Sequence, residues 1–337
     1  MDDEYLPVIT EEEIELINYL QDGTPSSILY ERYGDKRKFY YRKDKIFNRF
    51  DVKNKFSIIY EKLDLTRFLI LSKFRFKSPY LVQYLPYYKP QVHYMSQFVI
   101  PPTFEHEFIE GIIRLDKEVT IYQAKELGPA HYSFKNFHPE VTHEDRFFRW
   151  MALLIDKKIP DLKLPDHTPF EFDTHMLQLL HHIVKGISRE EIIKEMNLTR
   201  GREYDTPVKK MEDVFYKRVL FINRIPRFLY IIEKSPSKFS LGTLVNSFIE
   251  LFVFCHPFQI KKYYPEPINR MDYGIFCILT PPTPNIPFFH HSIDKFLKVN
   301  SNLFLVEEGN DLFNLDQVYN EKVKNWLWSE NIIEIVE

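Results

Sequence analysis

A chain of 337 residues is long enough for about two domains, each with a buried core of its own. Its hydrophobic content of 44% is ordinary for a globular protein, and its net charge of -3 excludes a polycation, so any nucleic-acid surface must be a local basic patch. With only 9 glycines, the sequence contains neither a P-loop nor a dinucleotide-binding fingerprint.

The first predicted unit, residues 8–60, has the pattern of a helix-turn-helix domain. Thr10 caps a helix whose first turn is acidic and whose apolar periodicity continues to Leu20. A second helix follows Thr24-Pro25-Ser26 and is apolar at Ile28 and Leu29. A third helix is then expected from the basic residues that follow.

The basic stretch at 35–55 contains nine Lys or Arg and three Asp, a local charge of +6. One interpretation is a solvated basic helix face. The other is phosphate contact along a recognition helix, with Tyr40, Tyr41 and Asn48 adding sugar or base contacts. Because the stretch lies where a third helix would meet the major groove, we favour DNA contact.

The second predicted unit, residues 62–130, has a strand-rich pattern with one helix. It is about 20 residues shorter than its later counterpart, in the place of a first helix, so we expect one face of its sheet to be uncovered or covered by something else. The predicted strands and helix are Phe68–Phe74, Leu81–Tyr87, Val92–Ile100, the helix Glu105–Arg114 and Val119–Ala124.

A helix with Trp150 and a linker fill residues 131–165, and a second helix-turn-helix pattern follows at 166–225. The string GISREEIIKEMNLT contains the capping box of Ser188 and Glu191, and it resembles a pattern common in bacterial and archaeal helix-turn-helix regulators. The pattern departs from that family where Gly201 and Pro207 interrupt the expected recognition helix. The stretch 199–217 has a local charge of only +1, so the first copy is the better candidate for DNA contact.

The last predicted units are a ferredoxin-like domain at 226–309 and a C-terminal Trp helix at 310–337. The domain has the order β-α-β-β-α-β, with a hairpin loop at 265–272. We expect Trp150 and Trp326 each to pack its helix on its own unit. Two cysteines, Cys255 and Cys277, lie in apolar runs and are expected to be buried reduced thiols, a disulfide being the alternative.

The two halves of the chain repeat one another. Pro101-Pro102-Thr103 recurs 180 residues later at Pro281-Pro282-Thr283, and the pair Arg67-Phe68 recurs 160 residues later at Arg227-Phe228. Further landmarks return in the same order, which predicts two tandem copies of a multi-part unit. The predicted fold class is therefore α+β, with two tandem copies of a (winged) helix-turn-helix domain followed by a ferredoxin-like βαββαβ domain.

This order of elements resembles the Lrp/AsnC family of bacterial and archaeal transcription regulators. The resemblance covers most of each half and depends on element order more than on individual residues. It implies that the ferredoxin-like parts dimerise, here as a pseudo-dimer within one chain or as a homodimer, and that they bind a small-molecule effector. The family's glycine-containing effector motif is not present.

We therefore predict a cytoplasmic, sequence-specific regulator that binds double-stranded DNA, has no contact with a membrane, and is not an enzyme. No apolar run approaches the roughly 20 residues of a membrane span, and the 12 histidines do not form a metal-binding or protease motif, so neither metal nor cofactor is expected. The alternatives are a protein-interaction or assembly module and a small-molecule sensor without DNA binding. The predicted DNA-binding residues are Lys36, Arg37, Lys38, Tyr40, Tyr41, Arg42, Lys43, Lys45, Arg49, Arg200, Arg202, Lys209 and Lys210.

Overall fold

The computed structural model describes residues 9–336, except 22–23, 57, 129, 134–142, 163–167, 213, 216–218, 223–224, 237, 264–272 and 330. The elements of the first half are α1 (Glu11–Gln21), α2 (Ser26–Arg32), α3 (Lys36–Phe50), β1 (Val52–Lys55), β2 (Thr66–Ser72), β3 (Arg75–Lys77), β4 (Leu81–Lys89), β5 (Gln91–Ile100), α4 (Glu105–Leu115), β6 (Thr120–Glu126), β7 (His131–Tyr132) and α5 (His143–Ile155). The elements of the second half are α6 (Thr174–Val184), α7 (Arg189–Glu195), α8 (Asp205–Lys210), β8 (Val219–Ile222), β9 (Arg227–Ile232), α9 (Leu241–Leu251), β10 (Phe254–Lys262), β11 (Gly274–Thr280), α10 (Ile286–Leu297), β12 (Ser301–Val306), β13 (Asn310–Asp311), β14 (Tyr319–Asn320), β15 (Asn325–Trp326) and β16 (Glu334–Val336). The predicted hairpin loop at 265–272 lies outside the described residues.

The helices begin and end at residues with the expected local chemistry. The side chain of Asp35 caps α3 by accepting a hydrogen bond from the backbone N–H of Lys38 at 2.8 Å, and α3 ends at Asp51 in the left-handed conformation. The capping box predicted at Ser188 and Glu191 is confirmed at the start of α7. These local signals lie within a few residues of one another in sequence, so they could be found without knowledge of the fold.

Eight antiparallel strands close into one barrel. The strands follow the order β11-β9-β12-β4-β5-β2-β6-β10, and β10 pairs again with β11 to complete the circle. Side chains alternate between the interior and the outside along each strand, and every strand contributes to the interior cluster. Interior residues include Leu69, Leu85, Met95, Leu229, Phe258 and Phe276. The middle of the barrel is therefore a packed apolar core.

Helices and the C-terminal segment cover the outside of the barrel. On the strands of the second half, α5, α9 and α10 form an apolar layer. On the strands of the first half, α4 and α6 are joined by the C-terminal segment, including Leu315 and Trp326. Between β2 and β4 the chain forms only the short strand β3, which pairs with β16 near the C-terminus. The C-terminal segment thus lies where the second half has α9.

The predicted fold class is wrong, because the strands form one closed barrel and not two separate, tandem ferredoxin-like domains. The four strands of each half have two open edges, and β6 pairs with β10 while β4 pairs with β12, which unites both halves in one sheet. Closure satisfies backbone groups that open edges would leave unpaired. The predicted domain boundaries, 8–60, 62–130, 131–165, 166–225, 226–309 and 310–337, stay predictions.

The helical stretches are also not independent helix-turn-helix domains. Each stretch contains three helices, but β1 of the first pairs with β8 of the second over four residues, and Ile58 forms a bridge with Phe215. The two stretches are therefore held together by a shared two-stranded sheet. A pairing between residues more than 150 positions apart leaves no pattern in the local sequence that could predict it.

Trp150 packs on the other half of the chain, contrary to prediction, whereas Trp326 contacts both halves, including Phe172 and Tyr319 of its own. Trp150 on α5 stacks on Phe248 and lies edge-on to Phe296, both in the second half. Trp326 contacts Tyr80 of the first half, and it lies in the short strand β15 and not in a helix. The tryptophan side chains therefore stabilise the union of the two halves.

Candidate functional site

A ring of polar side chains lies at one end of the barrel, and we call it the arginine mouth. It consists of Arg67, Gln97, Glu126, Arg227 and His256, from β2, β5, β6, β9 and β10. They surround a cavity of about 80 Å³, large enough for a few water molecules or a small ligand group. Apolar side chains complete the wall, and the cavity thus combines an apolar lining with a few convergent polar groups, as ligand sites do. The apolar lining includes Phe56, Ile58, Val82, Leu85, Phe254 and Ile278.

Three ionisable groups of the arginine mouth form a connected, buried chain. Arg67 is 2% exposed and donates to Glu126 Oε2 at 2.8 Å, and Glu126 is itself 1% exposed. The other carboxylate oxygen of Glu126, Oε1, lies 2.9 Å from Nε2 of His256. One carboxylate therefore binds a guanidinium with one oxygen and an imidazole with the other.

Further contacts hold Arg67 in place. Its guanidinium donates to the backbone carbonyl of Ile58 at 3.3 Å and lies 5.1 Å over the ring of Tyr60 and 5.4 Å over that of Phe258. Its Nε is 3.7 Å from Oε1 of Glu61. The side chain is thus fixed by contacts on both sides of its plane.

The electrostatics of the site follow from its burial and its charges. Burial alone would lower the pKa of Arg67, but the negative charges of Glu126 and Glu61 outweigh it and raise the pKa above its usual value. Burial raises the pKa of Tyr60 far above its usual value, so its hydroxyl stays neutral. Arg67 is therefore a permanent cation, and Glu126 has a buried cationic partner.

The arrangement suits proton transfer. If Nε2–H of His256 donates to Glu126, the neutral imidazole keeps its lone pair on Nδ1, the nitrogen that can accept a proton. The carboxylate then stabilises the imidazolium that forms, as a buried acid does for a catalytic histidine. A buried ion pair stabilises a fold only weakly compared with an apolar replacement, which favours a functional reason for this one.

A second polar cluster, the lysine mouth, lies at the opposite end of the barrel. Here Glu233 accepts from Tyr122 and from Lys262, both at 2.8 Å, and His93 and Lys89 lie nearby in a cavity of about 370 Å³. Burial alone would raise the pKa of Glu233, but these two hydrogen bonds outweigh it and lower the pKa. The carboxylate is therefore ionised and paired with Lys262, whereas Nδ1 of His93 lies 3.0 Å from the carbonyl oxygen of Gln91.

None of the residues predicted to bind DNA lines the cavity of the arginine mouth. Nine of them are on α3, where Arg42 forms an ion pair with Glu12, Arg49 pairs with Glu13 at 2.8 Å, and Lys38 pairs with Asp35 at 3.9 Å. The acidic first turn of α1 thus neutralises part of the basic stretch. The sequence could not show this, because the two helices meet only in the folded chain.

The remaining four predicted residues lie in the second helical stretch. Arg200 and Arg202 precede α8, and Lys209 and Lys210 are in its last turn. This helix spans only six residues, and Gly201 before it has φ +85°. The structure does not bring these four residues together with the cavity of the arginine mouth.

Sequence reasoning missed the arginine mouth, although one signal was present. The pair Arg-Phe recurs at the start of β2 and of β9, and the two arginines, Arg67 and Arg227, line the same cavity. A cation at the start of an apolar strand in both copies is a hint of a buried polar cluster. Glu126 and His256 gave no such hint, because neither belongs to a pair of residues that recurs in both halves of the sequence.

One prediction about single groups, the state of the two cysteines, is confirmed by the structure. Cys255 and Cys277 are buried free thiols, which confirms the expectation for both. Among the helices that the structure describes, none has the length and apolar character that crossing a membrane requires. In the same part of the chain, no three His, Cys, Asp or Glu side chains are grouped as metal ligands would be.

Comparison with known proteins found similarity only among solved structures. No protein-family model matches the chain, and neither does any curated protein. A crystal structure of the siroheme decarboxylase NirDL is similar with a TM-score of 0.42 and 10% identity, covering 89% of this chain and 92% of the other. The same enzyme in complex with an iron-uroporphyrin III analogue is similar with a TM-score of 0.44 and 11% identity, covering 90% and 93%.

These findings correct several predictions. The resemblance to Lrp/AsnC regulators is wrong, since no family model supports it and the similar structures are those of a decarboxylase. The same grounds correct the expectation of a DNA-binding regulator that is not an enzyme. They also correct the expected partners, which were double-stranded DNA, a small-molecule effector and a homodimer. At this identity and TM-score, the activity of that enzyme is not transferred to this chain.

Proposed function

We propose that the protein is an enzyme that transfers a proton to or from a small carboxylate-bearing substrate at the arginine mouth. The observation that carries the proposal is the chain from Arg67 through Glu126 to His256, with contacts of 2.8 and 2.9 Å at the wall of the cavity. This site, rather than the distant likeness to the decarboxylase, supports the proposal.

Each of the three groups has a distinct role. His256 is the proton donor and acceptor, with Nδ1 as the reacting nitrogen. Glu126 orients the imidazole and stabilises its charged form. Arg67 and Arg227, both buried, supply positive charge for a substrate carboxylate. Arg67 also holds Glu126 in position by the hydrogen bond to Oε2, which leaves Oε1 for the imidazole.

The reaction class follows from these roles. A proton donor and acceptor beside a bound carboxylate serves proton abstraction next to that carboxylate, and equally the protonation of a carbon that has lost carbon dioxide. Both reactions place a proton on carbon or remove one from it. Deuterium from the solvent therefore reports on either.

The experiment is deuterium incorporation into a panel of small carboxylic acids incubated with the full-length chain in D2O and examined by mass spectrometry. A porphyrin bearing carboxylate side chains belongs in the panel as a large probe. His256→Gln is expected to lower the incorporation rate by about 100-fold or more. His106→Gln is the matched control, because His106 lies on the outer helix α4 with its side chain 77% exposed.

Two results would overturn the proposal. One is incorporation in His256→Gln at the rate of the unaltered chain. The other is a panel in which no acid incorporates deuterium and none shifts the imidazole resonances of His256. Thermal melts of both variants show whether the fold is retained, and the control variant shows that loss of a histidine is not itself harmful.

We further propose that the protein works in the cytoplasm. Cys255 and Cys277 are neighbours in the apolar layer between the barrel and its helices, and both are free thiols. Free thiols persist in reducing compartments. Fractionation of cells that produce the chain checks this, and recovery in a secreted fraction would contradict it.

A further inference from the structure

An open groove of about 510 Å³ crosses the outside of the barrel where the two halves meet. Its floor is the outer face of the β6–β10 pair, in which Gln123 is opposite Lys261 and Lys125 is opposite Gln259. Pro102, Pro169, Tyr273 and the turn Tyr60–Leu63 contribute to its walls. The groove is thus polar at the base and partly apolar at the sides.

Arg67 lines both this groove and the cavity of the arginine mouth. Its Nη2 donates one hydrogen bond to Glu126 and one to the backbone carbonyl of Ile58. Its Nε lies on the side of Glu61, which lines the groove. Among the described residues, Nε has no hydrogen-bond acceptor, although the side chain is 98% buried. A buried N–H without an acceptor is costly, and a ligand can supply one.

The lysines of the groove floor also lack acidic partners. Neither Lys125 nor Lys261 forms an ion pair with another residue that the structure describes. Together with Arg67 they place three cations around the groove, against two carboxylates from Glu61 and Asp64. The two lysines make an anionic group the best match for the floor.

Glu61 occupies an unusual position beside Arg67. Both of its carboxylate oxygens are shielded from solvent, and neither has a hydrogen-bond donor in the described part of the chain. The shortest approach to Arg67 Nε, 3.7 Å, is longer than a hydrogen bond. Glu61 therefore offers the guanidinium a negative charge without bonding to it, and a better-placed anion can displace it.

We propose that the groove binds a second anionic group of the substrate, and that Glu61 takes the place of this group beside Arg67 when the groove is empty. The proposal rests on the active site proposed above, to which it adds that the substrate carries two anionic groups. One group lies in the cavity by His256, and the other lies against Arg67 Nε and the two lysines. Carboxylates and phosphates share this chemistry.

The test is calorimetric titration of the full-length chain with acetate, glutarate and 3-phosphonopropionate. In the unaltered chain the two dianions are expected to bind about tenfold or more tightly than acetate. In the double variant Lys125→Gln/Lys261→Gln the ratio of dianion affinity to acetate affinity is expected to fall to about one. Lys322→Gln is the control, an exposed lysine in the turn before β15. The dianion with the higher affinity identifies the preferred headgroup.

Glu61→Gln gives a sharper test, because it removes the competing charge but keeps the size of the side chain. This variant is expected to bind glutarate several-fold more tightly, up to about tenfold. Weaker binding in Glu61→Gln, or a double lysine variant that keeps the advantage of the dianions, overturns the proposal.

The outcomes separate this proposal from the proposed activity. If acetate shifts the resonances of His256 while the lysine variants leave the dianion advantage intact, the groove proposal fails and the active site stands. If no probe shifts His256, the proposed active site fails. Thermal melts of each variant check that a change in affinity does not come from unfolding.

Discussion

The buried pair of Arg67 and Glu126 allows a quantitative prediction. Arg67→Met removes the guanidinium that binds Glu126, inside a site where both members of the pair are at most 2% exposed. Breaking a buried ion pair in this way costs about 3–5 kcal/mol of unfolding free energy. The double variant Arg67→Met/Glu126→Leu removes both charges and is expected to lie within about 1–2 kcal/mol of the unaltered chain, or above it.

Unfolding in guanidinium chloride, followed by circular dichroism, measures these free energies. The surface pair of Lys73 and Glu118, 3.4 Å apart and exposed on both sides, supplies the control, because Lys73→Met should cost less than about 1 kcal/mol. A cost below about 1 kcal/mol for Arg67→Met would refute the reasoning. A double variant as unstable as Arg67→Met would also refute it, since that result would show that packing and not charge is the cause.

Two further predictions concern other parts of the barrel. Hydrogen bonds from Lys262 and Tyr122 outweigh burial and lower the pKa of Glu233, so its contribution to stability is present above the unfolded pKa and is lost as the pH falls through the folded pKa. In Lys262→Met the unfolding free energy should therefore depend less on pH below about pH 4.5. The difference should be less than about 1 kcal/mol, because the carboxylate is partly exposed. An unchanged slope in acid would contradict this. Gly309→Ala places a Cβ 1.8 Å from the carbonyl oxygen of Tyr84 and should lower the unfolding free energy by about 3 kcal/mol or more. In Gly128→Ala the new Cβ meets nothing closer than 3.9 Å, so this control should keep its unfolding free energy in the same denaturation experiment.

The distribution of charge on α3 shows why function was harder to predict than structure. The +6 stretch is a true feature of the sequence, and α3 is a true helix with Asp35 as its cap. Its partners on α1, however, are Glu12 and Glu13, which lie more than 20 residues earlier. A local charge count cannot include carboxylates that only the fold brings near, so the prediction of DNA contact overestimated the free positive charge.

The arginine mouth illustrates the same limit for a buried site. Arg67 and Glu126 are 59 positions apart, and Glu126 and His256 are 130 apart. No spacing rule joins such residues, because their separation depends on which strands become neighbours. Only the recurrence of the Arg-Phe pair pointed to this region, and it did so without naming the chemistry.

The sequence by itself determined the local elements and the repetition of the two halves, because caps, periodicity and apolar runs act between residues that are close along the chain. The tertiary structure decided how the halves join. The strand edges of one half pair with those of the other, Trp150 and Trp326 pack across the halves, and closure of the barrel encloses Arg67, Glu126 and His256. These outcomes depend on hydrogen bonding and burial between distant residues, which become favourable only when the whole barrel forms.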